Sequence, residues 1–149
     1  MSTIKVDTIQ TRGGVSEIAI DKLKGASSAS SISVVAEGGT NTTNMQQGLA
    51  KAFLAYKGND TAGIYDSNNI ASVTDVATGK QTPNFTNNFN SANNYATTGF
   101  GQEDTGGGGR IVCGISSPAT SNRPVNTVNI SNTSTDLEWL NLSFHGDLS

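Results

Sequence analysis

Most of the residues that usually announce a function are scarce in this chain of 149 residues. It has one cysteine, Cys113, which excludes an intrachain disulfide and a cysteine-rich zinc site. Within the run Ile111-Val112-Cys113-Gly114-Ile115, that thiol reads as a small apolar strand residue. The single histidine, His145, cannot assemble a metal site within one chain; three copies on a shared axis would be needed to hold an ion. Charged residues make up only 14% of the chain, and the nine Lys and Arg side chains are scattered. With no basic stripe to neutralise phosphates, nucleic-acid binding is not expected. No run of about 20 apolar residues is present, and the N-terminus lacks the charged-then-apolar pattern of a secretory leader. The expectation is synthesis in the cytosol without membrane insertion.

Catalytic patterns are equally thin. Acid–base chemistry needs two carboxylates held at a defined separation in a cleft. Glu103-Asp104 adjoins glycine-rich sequence, and Asp66 and Asp75 read as turn residues that bond their own backbone. The run Gly106-Gly107-Gly108-Gly109-Arg110 lacks the Lys-Ser/Thr ending of a phosphate-cradling loop and reads as a plain loop. Asn-X-Ser/Thr triplets such as Asn84-Phe85-Thr86, Asn129-Ile130-Ser131 and Asn141-Leu142-Ser143 follow from the abundance of those residues. No catalytic residue, metal site or cofactor is assigned, and the chain is not expected to be an enzyme.

What is abundant is glycine and small polar residues, which make turns and solvated strand faces. Apolar residues at 34% are few, yet the low charge is unlike that of disordered chains. The composition favours a mainly β protein rich in loops. Short strand-like runs recur over residues 62–65, 70–76, 82–85, 94–100, 110–115, 125–130 and 137–144. Turn chemistry separates them at Asp66-Ser67-Asn68-Asn69, Thr78-Gly79-Lys80, Asn87-Asn88 and Gly106–Gly109, as in a sandwich or small barrel. In the last run Leu140, Leu142 and Phe144 share one face, with Trp139 on the opposite face beside Asn141.

The run from Gln47 to Gly79 organises the chain. Thr43 or Asn44 can cap a helix of roughly two turns, with Gln47 completing a box-like arrangement. Met45, Leu49 and Ala52 would share its face, and Gly48 would let another backbone come close. The pattern then switches near Lys51 to a strand in which Ala52, Leu54 and Tyr56 alternate with Lys51, Phe53 and Ala55. Upstream, residues 2–10 alternate as a half-buried strand with Ile4 and Val6 on one face, and a second apolar piece contains Val15, Ile18 and Ile20. Two such strands cannot bury enough area alone and need a partner surface. That partner is the body of the same chain, a sister subunit or another protein. Gly25–Ser31 is a flexible linker by composition. The division expected is an arm and linker over 1–30, a short strand and helical connector over 31–50, and a β-sandwich head over 51–149.

The segment Ala50-Lys51-Ala52-Phe53-Leu54-Ala55-Tyr56-Lys57-Gly58, followed by Ile64–Gly79, Asn84–Phe89 and Asn94-Tyr95-Ala96, resembles a module of bacteriophage tail-fibre and related virion proteins. The opening Met1–Gln10 is similar to virion proteins of phages of marine bacteria, cyanophages in particular, and the ending Phe144-His145-Gly146-Asp147-Leu148 to tail-fibre C-termini of that group. Residues 102–135 carry no such likeness. The resemblance implies a homotrimeric virion protein with no cofactor. Its arm, with Ile4, Val6, Ile9, Ile18 and Ile20, would fix it to a tail tube, adaptor, nozzle or capsid protein. Met45, Leu49, Phe53 and Trp139 are the candidates for trimer contacts. Phe100, Gln102, Arg110, Asn122 and Arg123, on two loops, are the candidates for contact with a host receptor. A short tail fibre is the first reading, a capsid decoration or head fibre the second, and a polysaccharide-degrading spike a distant third.

Overall fold

The computed structural model describes residues 22–23, 32–35, 39–59, 61–103 and 110–149. Among these residues the chain is mainly β, with ten strands in three sheets and a single helical turn. A small ribbon pairs β1 (Ser33–Val35) with β2 (Thr42–Asn44). The first four-stranded sheet runs in the order β4 (Gly63–Asn68), β3 (Ala50–Lys57), β10 (Trp139–Gly146), β7 (Tyr95–Gln102). The second runs β5 (Ile70–Ala77), β6 (Lys80–Phe85), β9 (Val125–Asn129), β8 (Arg110–Gly114). All pairings are antiparallel. Side chains of both larger sheets meet in one core, a sandwich-like arrangement.

The alternation in the first and last strands builds that core. Ala52, Leu54 and Tyr56 of β3 and Leu140, Leu142 and Phe144 of β10 are all buried. They stand side by side in register: Leu140 opposite Tyr56, Leu142 opposite Leu54, Phe144 opposite Ala52. The second sheet supplies Phe85 and Val125, with Val73 and Val112 packed against them. Phe85 makes edge-on contacts with Phe89 and Phe144 at centroid distances of 4.9 and 5.0 Å. Tyr95 stacks on Phe89 at 4.4 Å. Ring geometries of this kind add to simple area burial.

On β7 the positions facing the core are Tyr95, Thr97, Gly99 and Gly101, and the last two are glycines. A side chain at Gly99 would meet Leu142 at 2.6 Å, and one at Gly101 would collide with Leu137. Their absence lets β7 press onto the interior, and it turns the intervening Phe100 outward.

Two corners make the topology. Asn69, at φ 58°, carries the chain from β4 in one sheet to β5 in the other. Asparagine tolerates this left-handed conformation, and here its amide also mimics a strand partner. Its Oδ1 accepts from the Asn87 N–H at 2.6 Å, and its Nδ2 donates to the Asn87 carbonyl at 3.1 Å. The turn between β5 and β6 is held by Gly79, at φ 71°. Its N–H donates to Asp136 Oδ1 at 2.6 Å, and its carbonyl accepts from the Thr127 N–H at 2.8 Å.

The connector differs from the sequence expectation. The helix α1 spans only Met45–Gly48, a single turn, and Ala52 belongs to β3 with its side chain in the core. A turn of helix gains one or two hydrogen bonds, whereas β3 is paired by β10 over Ala52–Tyr56 and by β4 over Phe53–Lys57; pairing therefore wins. Likewise Asp66, Ser67 and Asn68 are not a turn but the end of β4, and the bend is confined to Asn69. The anchoring residues Ile4, Val6, Ile9, Ile18 and Ile20, with the Gly106–Gly109 run, lie outside the described residues.

Chemical denaturation checks this packing. Phe144→Ala should cost about 3–5 kcal/mol, and Gly79→Ala about 3 kcal/mol through backbone strain and collision with the Thr127 carbonyl. Phe100→Ala should stay within about 0.5 kcal/mol.

Candidate functional site

The face of the β4-β3-β10-β7 sheet that points away from the core is where the unusual surface lies. Its residues are set by the same alternation that fills the interior. On β10 they are Trp139, Asn141, Ser143 and His145; on β7 they are Gln102, Phe100, Thr98 and Ala96 in the matching register. Phe53 and Ala55 of β3 stand opposite Ser143 and Asn141. Three aromatic rings are thereby offered to water: Phe100 is 64% exposed, Phe53 39% and Trp139 37%.

Two shallow, open depressions follow one another along the β7–β10 pair. One, of about 360 Å³, is lined by Thr98, Gly99, Phe100, Asn141, Leu142 and Ser143. The other, of about 430 Å³, is lined by Asn93, Asn94, Tyr95, Ala96, His145 and Gly146. Between them the Ser143 hydroxyl and His145 Nε2 share a hydrogen bond of 3.0 Å. That bond orders the surface, but no third group bonded to the ring completes a nucleophilic triad among the described residues. No group of three or more His, Cys, Asp and Glu side chains that could hold a metal occurs among them. No helix among them is long and apolar enough to cross a membrane.

Four charged groups near the Trp139 end of β10 are paired with one another. Tyr65 donates its hydroxyl to Glu138 Oε1 at 2.9 Å, and Lys57 Nζ lies 3.4 Å from the other oxygen. The hydrogen bond from Tyr65, aided by Lys57, holds the Glu138 carboxyl below its ordinary value. Glu103 pairs with Arg110 across the 104–109 segment, and Arg110 likewise lowers the Glu103 pKa. Tyr95 is shifted upward by burial, and its hydroxyl is directed at the Ala119 and Asn122 carbonyls, both at 3.1 Å.

The residues singled out from the sequence therefore separate. Phe53, Trp139, Phe100 and Gln102 come together on the outer sheet face. Met45 and Leu49 are exposed on the connector, where α1 rests against β10. Arg110 is tied to Glu103. Asn122 and Arg123 belong to the loop between β8 and β9, which is bound to the second sheet through the Arg123 N–H to the Pro83 carbonyl and an isolated bridge from Asn122 to Asn84. Sequence reasoning did not single out Asn141, Ser143 and Thr98 as surface-site residues. The Trp139–Asn141–Ser143 alternation held that information, but their neighbours on β7 come from a strand about 40 residues earlier in the chain.

No protein family, no curated protein and no solved structure matches this chain.

The lowered carboxyl pKa values set the acid behaviour. Stability contributed by Glu103 and Glu138 is fully present above the ordinary glutamate value of 4.5 and is lost as the pH falls through their folded values. Thermal melting should therefore drop on the acid side of 4.5, and Glu103→Gln and Glu138→Gln should each flatten that drop.

Proposed function

We propose that the chain is a structural and adhesive part of a phage particle: a short trimeric fibre whose arm over residues 1–30 attaches to another virion protein and whose sandwich-like head meets the host surface. The observation that carries this reading is the outward-facing aromatic surface of Phe53, Phe100 and Trp139. Exposed apolar patches of this kind mark places where another molecule sits. Its shape supports binding over catalysis, since both depressions are open and shallow and lack the enclosure that excludes water from a reacting centre.

The low overall charge and the resemblance of residues 1–10 and 47–97 to virion proteins point in the same direction. So does the connector. The β1–β2 ribbon leaves Val34 and Val35 exposed next to Met45 and Leu49, and a two-stranded ribbon is marginal in water without cover. A sister subunit would supply that cover. Three heads per fibre then turn weak contacts into avidity, because each later contact is intramolecular.

Two measurements test the reading. Light scattering at micromolar concentration should report a trimer, and a monomer removes the fibre. Deleting residues 2–24 should abolish incorporation into particles while leaving a soluble head, and incorporation of the truncated chain overturns the anchor. Imaging that places the protein on the capsid and not on the tail favours a decoration role.

A further inference from the structure

We propose that the surface along the β7–β10 pair binds a neutral oligosaccharide chain. The inference rests on the adhesive reading of the head and gives its ligand a chemistry.

Three features of the surface select that ligand. The first is length. Paired residues follow one another from Trp139 and Gln102 at one end to His145 and Ala96 at the other. Six strand steps at 3.4 Å per residue make a track of about 20 Å. The two depressions lie in tandem along it, so the site suits an extended chain better than a single small molecule.

The second is charge. None of the outward residues of the β7–β10 pair, and none of the residues lining either depression, is Asp, Glu, Lys or Arg. The nearest charged groups lie on other strands: Lys51 and Lys57 are on the outward face of neighbouring β3, with Lys57 paired to Glu138, and Arg110 is paired to Glu103. A phosphorylated or strongly acidic ligand would find no counter-charge there, and burying its ions unpaired would be costly.

The third is the kind of polar group. Asn141, Ser143, Thr98 and Gln102 present amides and hydroxyls, which donate and accept at the same time, as sugar hydroxyls do. Beside them Phe100 and Trp139 offer exposed aromatic rings, a surface that the C–H side of a pyranose can pack against. An apolar peptide would leave those amides unmatched, which costs free energy once they are desolvated. A peptide strand added to the exposed β7 edge is the competing occupant, and it would bond the backbone and not the outer face.

The full chain applied to an array that carries neutral linear hexose and N-acetylhexosamine oligosaccharides beside sialylated and sulfated ones tests this directly, the neutral glycans being those expected to be retained. At least one glycan should be retained, and Phe100→Ala and Asn141→Ala should each weaken retention by about tenfold or more. Ile130→Ala, on a 79% exposed side chain just beyond β9, should not change it. Unaltered thermal melting of the two track variants shows that a loss is not misfolding. A silent array, retention of sialylated or sulfated glycans only, or retention unchanged in both variants overturns the proposal. Binding to marine bacterial cells separates it from the adhesive reading. Adhesion that survives periodate cleavage of surface diols overturns the saccharide and leaves the adhesin standing, whereas array binding without any cell adhesion does the reverse.

Discussion

Everything in this protein depends on how β3 and β10 lie against each other. The two strands come from opposite ends of the described head yet are neighbours at the centre of one sheet. Their pairing places Ala52, Leu54 and Tyr56 beside Phe144, Leu142 and Leu140 with all six buried. Side chains alternate with period two, so a slip of one residue would send this set to water and bring Phe53, Trp139, Asn141 and Ser143 inside. The cost of that exchange locks the register. The outer face is therefore a by-product of the inner one. Such a fold also closes late, because its central pair joins residues more than 80 positions apart and loop-closure entropy must be met before the pair forms.

Polar residues do the remaining positioning. Asn69 lets the chain change sheets and bonds the Asn87 backbone from both ends of its amide. Asp136 holds the Gly79 turn, and the Thr127 hydroxyl donates to the Thr135 carbonyl at 2.5 Å in the same region. These are local bonds made by small side chains, which is what a sequence rich in Asn, Thr, Ser and Gly can supply in place of a larger apolar core. The ion pairs Lys57–Glu138 and Glu103–Arg110 leave the outward residues of the β7–β10 pair free of acidic and basic side chains.

That separation gives the surface its character. Glycines at 99 and 101 allow β7 to approach the interior, and Phe100 between them faces outward next to Asn141. Trp139 and Phe53 extend the same face, and the β7–β10 pair itself carries no Asp, Glu, Lys or Arg among its outward residues, the nearest lysines, Lys51 and Lys57, being on β3. The proposed adhesive head with its saccharide track and the proposed trimeric fibre draw on different parts of this chain. The first draws on the β7–β10 pair and the second on Met45, Leu49 and the ribbon before β3.

Composition alone determined the class: few apolar and few charged residues with many turn formers make a mainly β chain. Period-two alternation located most of the strands to within a few residues and separated Leu54 and Tyr56 from Phe53, and Leu142 and Phe144 from Trp139, because alternation is a property of the backbone and is written locally. Which face is buried was decided by the packing of the two sheets. The helix at Met45 was read too long and the Asp66–Asn69 stretch too bent, because local capping and turn preferences are worth about 1 kcal/mol and yield to strand pairing. Only the tertiary structure decided which strands are neighbours. Neither the Asn141–Phe100 pairing nor the Glu103–Arg110 tie can be read from spacing, since long-range register depends on how the two sheets share one core. The uncharged track is a feature of that pairing, and it exists only once β7 lies beside β10.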